Sequence, residues 1–160
     1  METAAQKEHE WLARFLGTWQ ASGEMPAGPD QPAMSWTTTE TARQIGALWL
    51  QAESVSRMSD GSSHVMQLTL GYDTRRAKYV GTWIGSMMDM LWVYEGELSA
   101  DGRVLTLNTE GPAMDGSGRI LPYRDVQTFI DDNHRVLTSQ VRNDAGDWEQ
   151  FMEVHYHRQA

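Results

Sequence analysis

Three glutamates are the residues of this chain whose type suits acid–base chemistry: Glu95, Glu110 and Glu153. Two carboxylates that face one cavity divide the roles of general acid and general base, because repulsion and desolvation separate their pKa values. The alternation of the last predicted strand, however, places Glu153 opposite Met152 and Val154, on the side that faces solvent. We therefore favour carboxylates that lie on the surface or pair with arginine, and the paired-carboxylate site is the alternative.

Two histidines have a spacing that some metal sites use. His155 and His157 share one face of the last predicted strand at positions i and i+2. A metal ion needs at least a third ligand, which His64, His134 or Glu153 would have to supply. Nothing in the sequence brings these residues together, so we expect surface histidines and no metal site.

The other reactive residue types receive less support. Arg124 could hold a ligand carboxylate through its planar guanidinium, although an exposed ion pair at a rim is the plainer interpretation. Ser86, Ser99 and Ser117 have no nucleophile-elbow context, and no glycine-rich phosphate loop follows a strand. The chain has no cysteine, which excludes thiolate chemistry. We expect no cofactor, and an enzyme is not the favoured class.

A cluster of methionines beside tryptophans is the most apolar feature of the chain. Met87, Met88 and Met90 crowd one predicted turn, flanked by Trp83 and Trp92. Flexible thioethers beside indoles suit the mouth of an adaptable apolar pocket. The same residues would also fill gaps under a loop or meet a second subunit, and the sequence does not separate these three interpretations.

Composition limits the class of protein. A chain of 160 residues corresponds to one domain with a single core. The formal net charge of −9 repels phosphate-rich partners, so we expect neither nucleic acid nor an anionic membrane surface. No run of about 20 apolar residues is present for a membrane span, and no secretory signal opens the chain. We expect a cytoplasmic protein.

The elements that must position these residues are strands. A turn signal of Asn, Asp or Gly recurs about every dozen residues from residue 60 onward, which indicates an antiparallel meander. Alternating apolar and polar residues lie between the turns. The predicted strands cover residues 17–23, 34–43, 48–59, 64–72, 78–86, 91–99, 104–111, 120–130, 134–142 and 148–157.

One helix precedes the strands. Residues 3–16 read as an amphipathic helix, with Thr3 and Gln6 at capping-box spacing and Gly17 after its end. A long meander must pair its two edges, which favours a closed barrel that the helix plugs at one end. We therefore predict an all-β fold: an antiparallel closed barrel of about ten strands over residues 17–158, with one N-terminal α-helix, in a single domain of residues 1–160. The proline-rich segment 25–32 is either a lid or rim or an inert crossover.

Several short motifs in a fixed order carry a family resemblance. They are Phe15-Leu16-Gly17-Thr18-Trp19, Gly71-Tyr72-Asp73, Tyr79-Val80-Gly81-Thr82-Trp83, Glu95-Gly96, Glu110-Gly111-Pro112, Tyr123-Arg124 and Phe151-Met152-Glu153 with Tyr156 and Arg158. Together they resemble the bacterial family of domain of unknown function 1579, which is related to the calycin barrels (lipocalins, fatty-acid-binding proteins and nitrobindins).

The resemblance implies a fold and no activity. In calycin barrels a tryptophan of the first strand packs across the closed end against an arginine of the last strand, which implies a contact between Trp19 and Arg158. The family usually has an aspartate where this chain has Gly85. The nitrobindin relatives bind haem through a histidine, but their early-strand motif is not seen here.

The leading functional hypothesis is a protein that binds a small apolar or amphipathic molecule in the barrel lumen, because about ten strands enclose more space than side chains easily fill. In this hypothesis aromatic residues form the walls, and Glu95 or Arg124 orients the ligand. The alternatives are a cofactor-independent isomerase or cyclase with buried carboxylates, and a structural protein that forms a homo-oligomer through its Met and Trp patch. The predicted ligand-binding residues are Trp83, Tyr94, Glu95, Tyr123, Arg124 and Tyr156.

Overall fold

The computed structural model describes all 160 residues and shows ten antiparallel strands closed into a barrel. Each strand pairs with its neighbours in the sequence, and β1 (Gly17–Met25) closes the barrel by pairing with β10 (Trp148–Arg158). The predicted fold class is confirmed, and no strand boundary differs from its prediction by more than two residues. The other strands are β2 (Met34–Ile45), β3 (Trp49–Met58), β4 (Ser63–Asp73), β5 (Lys78–Gly85), β6 (Trp92–Leu98), β7 (Val104–Pro112), β8 (Ile120–Asp131) and β9 (His134–Arg142).

The hairpin turns follow the predicted chemistry. Gly102 and Gly146 adopt φ values of 72° and 87°, in the left-handed region that glycine enters without steric cost. These turns keep the strands short and strictly antiparallel. Side chains alternate between the lumen and the outer wall along the strands, except at β-bulges between Phe129 and Asp131 and between Gln150 and Met152.

The N-terminal helix is shorter than predicted. The α-helix α1 covers Lys7–Trp11 and continues as one 3₁₀ turn over Leu12–Phe15. The prediction of a helix that begins at Thr3 was wrong, because Gln6 is the N-cap and forms a capping box with His9. The backbone N–H of Gln6 donates to His9 Nδ1 over 2.9 Å, and the backbone N–H of His9 donates to the Gln6 carbonyl over 3.0 Å, so the helix begins only after Gln6.

The helix closes one end of the barrel, which we call the plugged end. Trp19 is fully buried beneath it and donates its indole N–H to the carbonyl of Phe15 over 2.9 Å. The guanidinium of Arg158 lies 4.3 Å from the centre of the Trp19 ring, which confirms the contact implied by the family resemblance. On the opposite side of the helix, His9 Nε2 lies 3.1 Å from the carbonyl oxygen of Tyr72.

The opposite end of the barrel is its mouth. Because the strands are antiparallel, alternate connections meet there, and the proline-rich segment that we predicted as a lid, rim or crossover is one of them. Met87 and Met88, also at the mouth, are 39 % and 43 % exposed. No helix of the chain is long and apolar enough to span a membrane. The loops of the mouth cover residues 26–33, 59–62, 86–91, 113–119 and 143–147.

Near the mouth, β5 and β6 carry apolar side chains on both faces. Their outward residues Ile84 and Val93 are 46 % and 59 % exposed, and neighbouring Leu91 is 55 % exposed. Neither the helix nor a loop buries these side chains. A contact with a second subunit, one interpretation of the neighbouring methionine cluster, stays a prediction.

Candidate ligand-binding site

The inward-facing side chains change from fully packed to partly exposed along the barrel axis. Near the plugged end, Phe15, Leu50, Leu105 and Phe129 are at most 1 % exposed. A side chain that faces the inside of a closed wall gains exposure only from a hollow interior or from the mouth, so the lumen is open on the mouth side. The partly exposed inward residues there are Trp36, Met58, Met66, Leu68, Trp83, Trp92, Leu121, Leu137 and Met152.

Glycines in the wall allow the tryptophans to pack close to it. The indole of Trp36 lies where a side chain at Gly23 would be, and the indole of Trp92 lies where a side chain at Gly111 would be. Because both glycines lack a Cβ, the rings rest against the backbone of the neighbouring strand. The mouth half of the lumen thus has aromatic walls.

Gly85 lies at the mouth end of β5 and is closely surrounded by side chains. A Cβ at this inward-facing position would overlap the thioether of Met87 and approach the Trp83 ring to 2.8 Å. Met87 and Trp83 therefore occupy the volume that a longer side chain at this position would need.

An ion pair lies deep in the lumen. Arg135 is fully buried and Glu40 is 4 % exposed, and Arg135 Nη2 donates to Glu40 Oε1 over 2.5 Å. Ser54 donates to the other oxygen of Glu40 over 3.3 Å, and Arg135 Nε donates to Gln127 Oε1 over 3.3 Å. The two charges cancel, and their hydrogen bonds satisfy most of the polar atoms.

Aromatic rings surround the guanidinium of Arg135. Its central carbon lies 4.0 Å, 4.5 Å and 5.0 Å from the ring centres of Tyr156, Trp19 and Phe15. Its Nη1 has no hydrogen-bond partner. Cation–π attraction to these rings offsets that unmade bond. Arg158 also lies over the Trp19 ring, so two guanidinium groups contact this tryptophan.

A second acid of the lumen, the partly exposed Asp125, lies among neutral donors. Asp125 accepts a hydrogen bond from the Tyr94 hydroxyl over 2.5 Å at one oxygen and from the Ser139 hydroxyl over 2.5 Å at the other. Burial raises the pKa of Asp125. Burial and the neighbouring Asp125 charge raise the pKa of Tyr94 well above its usual value, so the phenol keeps its proton and stays the donor.

The structure divides the predicted ligand-binding residues between the two sides of the wall. Glu95 and Arg124 point outward, so the prediction that one of them orients a ligand inside the barrel does not hold. Strand alternation already implied this, because each follows an inward-facing tyrosine, Tyr94 or Tyr123. The inward-facing residues, whose contact with a ligand stays a prediction, are Trp83, Tyr94, Tyr123 and Tyr156.

The outward residues have partners on the surface. Glu95 forms a salt bridge with Arg76, while Arg124 donates to Gln140 over 2.5 Å and lies 4.2 Å from the centre of the Trp148 ring. All three glutamates of the predicted acid–base site are exposed: Glu95, Glu110 and Glu153. The paired-carboxylate site was therefore wrong, and the outward direction predicted for Glu153 is confirmed.

Sequence reasoning missed the buried charges of the lumen. Glu40 and Arg135 are 95 residues apart, on strands that only closure of the barrel brings near each other. Asp125 follows Arg124 directly, so alternation would have placed Asp125 inside once Arg124 was placed outside. Strand alternation in the sequence could therefore have identified Asp125 as inward-facing, but no sequence pattern identifies the Glu40–Arg135 ion pair.

A groove of about 760 Å³ lies on the outer wall and was not predicted. It crosses the middle strands of the sheet, and its lining includes the charged Glu110 and the inward-facing Tyr94 and Tyr123. The Arg76–Glu95 salt bridge lies in its lining. Other lining residues are Trp49, Val80, Val93, Asn108 and Trp148.

The histidines meet on the outer wall near the seam of the barrel. His134 Nε2 lies 3.1 Å from His155 Nδ1, and the His134 ring stacks on His157 with 4.4 Å between ring centres. Cross-strand register pairs His134 with His157, a contact that the sequence alone did not indicate. Desolvation, followed by the charges of His157 and His155, lowers the pKa of His134. No group of three or more His, Asp or Glu side chains is arranged to hold a metal ion.

These features define a calycin-like β-barrel with a lumen open at one end. Residues 4–158 match the family described as protein of unknown function (DUF1579), and the chain belongs to this family. None of the curated proteins matches the chain.

Solved structures share the barrel at low sequence identity. Rv2717c from M. tuberculosis is 17 % identical with a TM-score of 0.70, over 98 % of this chain and 100 % of that one. The S-type phycobiliprotein lyase CPES from Guillardia theta is 11 % identical with a TM-score of 0.63, over 94 % and 92 %. EF1p2_mFAP2b bound to DFHBI is 11 % identical with a TM-score of 0.51, over 95 % and 99 %. At these identities the likeness shows the fold.

Proposed function

We propose that this protein binds a small amphipathic molecule in the barrel lumen and that the molecule enters through the mouth. The observation that carries the proposal is the partial exposure of inward-facing apolar side chains such as Met66, Leu68 and Leu137. In a filled barrel these residues would be as buried as Leu50 and Leu105 at the plugged end. Apolar side chains that line accessible space are typical of ligand pockets.

The polar residues below this apolar wall support an amphipathic ligand over a purely apolar one. Thr38 and Ser56 hydroxyls lie 2.6 Å apart in the lumen, and both residues are 4 % exposed. Asp125 and Ser139 lie on the opposite part of the wall. A molecule with an apolar body and a polar head would place the body between the tryptophans and the head among these groups.

Two of the compared barrels support small-molecule binding by analogy of fold alone. One is bound to DFHBI, and another is a phycobiliprotein lyase. The outer groove is the competing location, since it too combines apolar and polar lining residues. The lumen, however, lies inside the closed barrel, and enclosure is what buries most of a ligand's surface.

A pair of neighbouring substitutions separates the two locations. Met66 faces the lumen between the small residues Ser54 and Gly85, whereas Val65 faces outward and is 45 % exposed. We expect Met66→Trp to weaken binding of the neutral fluorophore N-phenyl-naphthylamine by about tenfold or more, because the added indole occupies the lumen. Fluorescence titration measures the effect.

Val65→Trp is the matched control, since it adds the same side chain to the outer wall. It should leave the affinity within about threefold of the wild-type value. Equal affinities for Met66→Trp, Val65→Trp and the wild type would contradict binding in the lumen.

A further inference from the structure

We infer that the lumen binds amphiphiles whose head group is cationic, or neutral with a hydrogen-bond donor, and that Asp125 binds this head group. Amphiphiles with an anionic head group are excluded. The inference rests on the proposed function and names the ligand class. It follows from which charges in the lumen are compensated and which polar atoms a ligand can reach.

The lumen has one uncompensated charge. Between the plug and the mouth, the charged residues that face inward from the wall are Glu40, Arg135 and Asp125. Arg158 shares the inward register of Trp19, but its guanidinium is bound to the carbonyls of Leu16 and Arg14 at the plugged end. Glu149, opposite inward-facing Val141, is exposed at the mouth. Glu40 and Arg135 form a salt bridge and cancel. Asp125 has only the neutral donors Tyr94 and Ser139, so the interior carries a net negative charge when Asp125 is ionised.

Asp125 is also the charged group that a ligand can reach. It keeps partial exposure, whereas Arg135 is fully buried and Glu40 is 4 % exposed. The unpartnered Nη1 of Arg135 is enclosed, because Tyr156 and Trp19 pack around the guanidinium. A carboxylate head group therefore has no cation to approach.

The hydrogen-bond capacity of Asp125 is not exhausted. A carboxylate offers about four acceptor positions, and Tyr94 and Ser139 use one on each oxygen. The free positions accept from an ammonium, a hydroxyl or an amide N–H. A carboxylate head group would instead place like charges together in a poorly solvated space, and the net charge of −9 on the chain adds to that repulsion.

Three probes with the same alkyl chain test the inference: dodecylamine, dodecanol and dodecanoate. We expect the wild type at neutral pH to bind the amine and the alcohol at least about tenfold more tightly than the carboxylate, measured by displacement of N-phenyl-naphthylamine. Dodecanoate that binds as tightly as dodecylamine would overturn the inference while binding in the lumen stands. Failure of all three probes and of the fluorophore to bind would overturn the proposed function.

A matched pair of charge substitutions assigns the head group to Asp125. We expect Asp125→Asn to weaken dodecylamine binding by about tenfold and to leave dodecanol within about threefold. Glu10→Gln makes the same charge change at an exposed residue of the N-terminal helix and should alter neither. An equal loss in Glu10→Gln would mean general attraction to an acidic surface and would overturn the assignment. If Asp125→Asn does not fold, the wild-type order of the three probes still decides the inference.

Discussion

Replacing Arg135 with methionine is expected to lower the free energy of unfolding by about 3–5 kcal/mol. The substitution keeps most of the side-chain volume but removes the cation that compensates Glu40, which is 4 % exposed. An uncompensated charge in the interior has lost its hydration without gaining a partner. Urea unfolding followed by circular dichroism measures the loss.

Two further variants separate the charge effect from lost packing. Arg76→Met removes the partner of Glu95 in an ion pair whose side chains are about half exposed, and should cost no more than about 1 kcal/mol. Adding Glu40→Gln to Arg135→Met removes the orphaned charge and should recover most of the lost stability. Similar losses in Arg135→Met and Arg76→Met would contradict a structural role for the buried pair.

Trp19→Ala is expected to cost about 3–5 kcal/mol and to release the N-terminal helix from the barrel. Trp19 is fully buried, donates a hydrogen bond to Phe15, and lies 4.5 Å and 4.3 Å from the guanidinium groups of Arg135 and Arg158. Its loss removes packing for the helix and for both cations at once. Urea unfolding gives the free energy, and amide hydrogen exchange of residues 7–15 reports release of the helix.

Trp49→Ala is the control for the tryptophan substitution. Trp49 lies on the outer wall and is 42 % exposed, so its loss should cost no more than about 1 kcal/mol. Hydrogen exchange of residues 7–15 should not change in this variant. Unaltered protection of the helix in Trp19→Ala would show that Trp19 does not hold the plug.

The fold could be predicted from the sequence because its signals are local. Hairpin residues such as Asp101-Gly102 and the alternation in segments such as Met66 to Tyr72 depend only on neighbours in the chain. The start of the helix was harder to predict from the sequence, because Thr3 and Gln6 have the same capping-box spacing as Gln6 and His9. The contact of His9 with Tyr72 favours the start after Gln6, and no local sequence pattern shows this contact.

The candidate site was predictable only in part. Alternation identifies Tyr94 and Tyr123 as inward-facing, and consistent use of it would have moved Glu95 and Arg124 to the outer wall. The Glu40–Arg135 pair depends on how the closed barrel aligns β2 and β9, which are not adjacent strands. The outer groove depends on the shape of the wall, which the order of residues does not encode locally.

A crystal structure of the complex with a terminally brominated undecanol tests the central claim most directly, because anomalous scattering locates the bromine without reference to the protein. We predict a bromine peak inside the barrel, among Trp36, Trp83 and Met152, with the hydroxyl directed towards Asp125. A peak on the outer wall between Trp49 and Trp148, or a lumen that stays without ligand at saturating alcohol, would contradict the account.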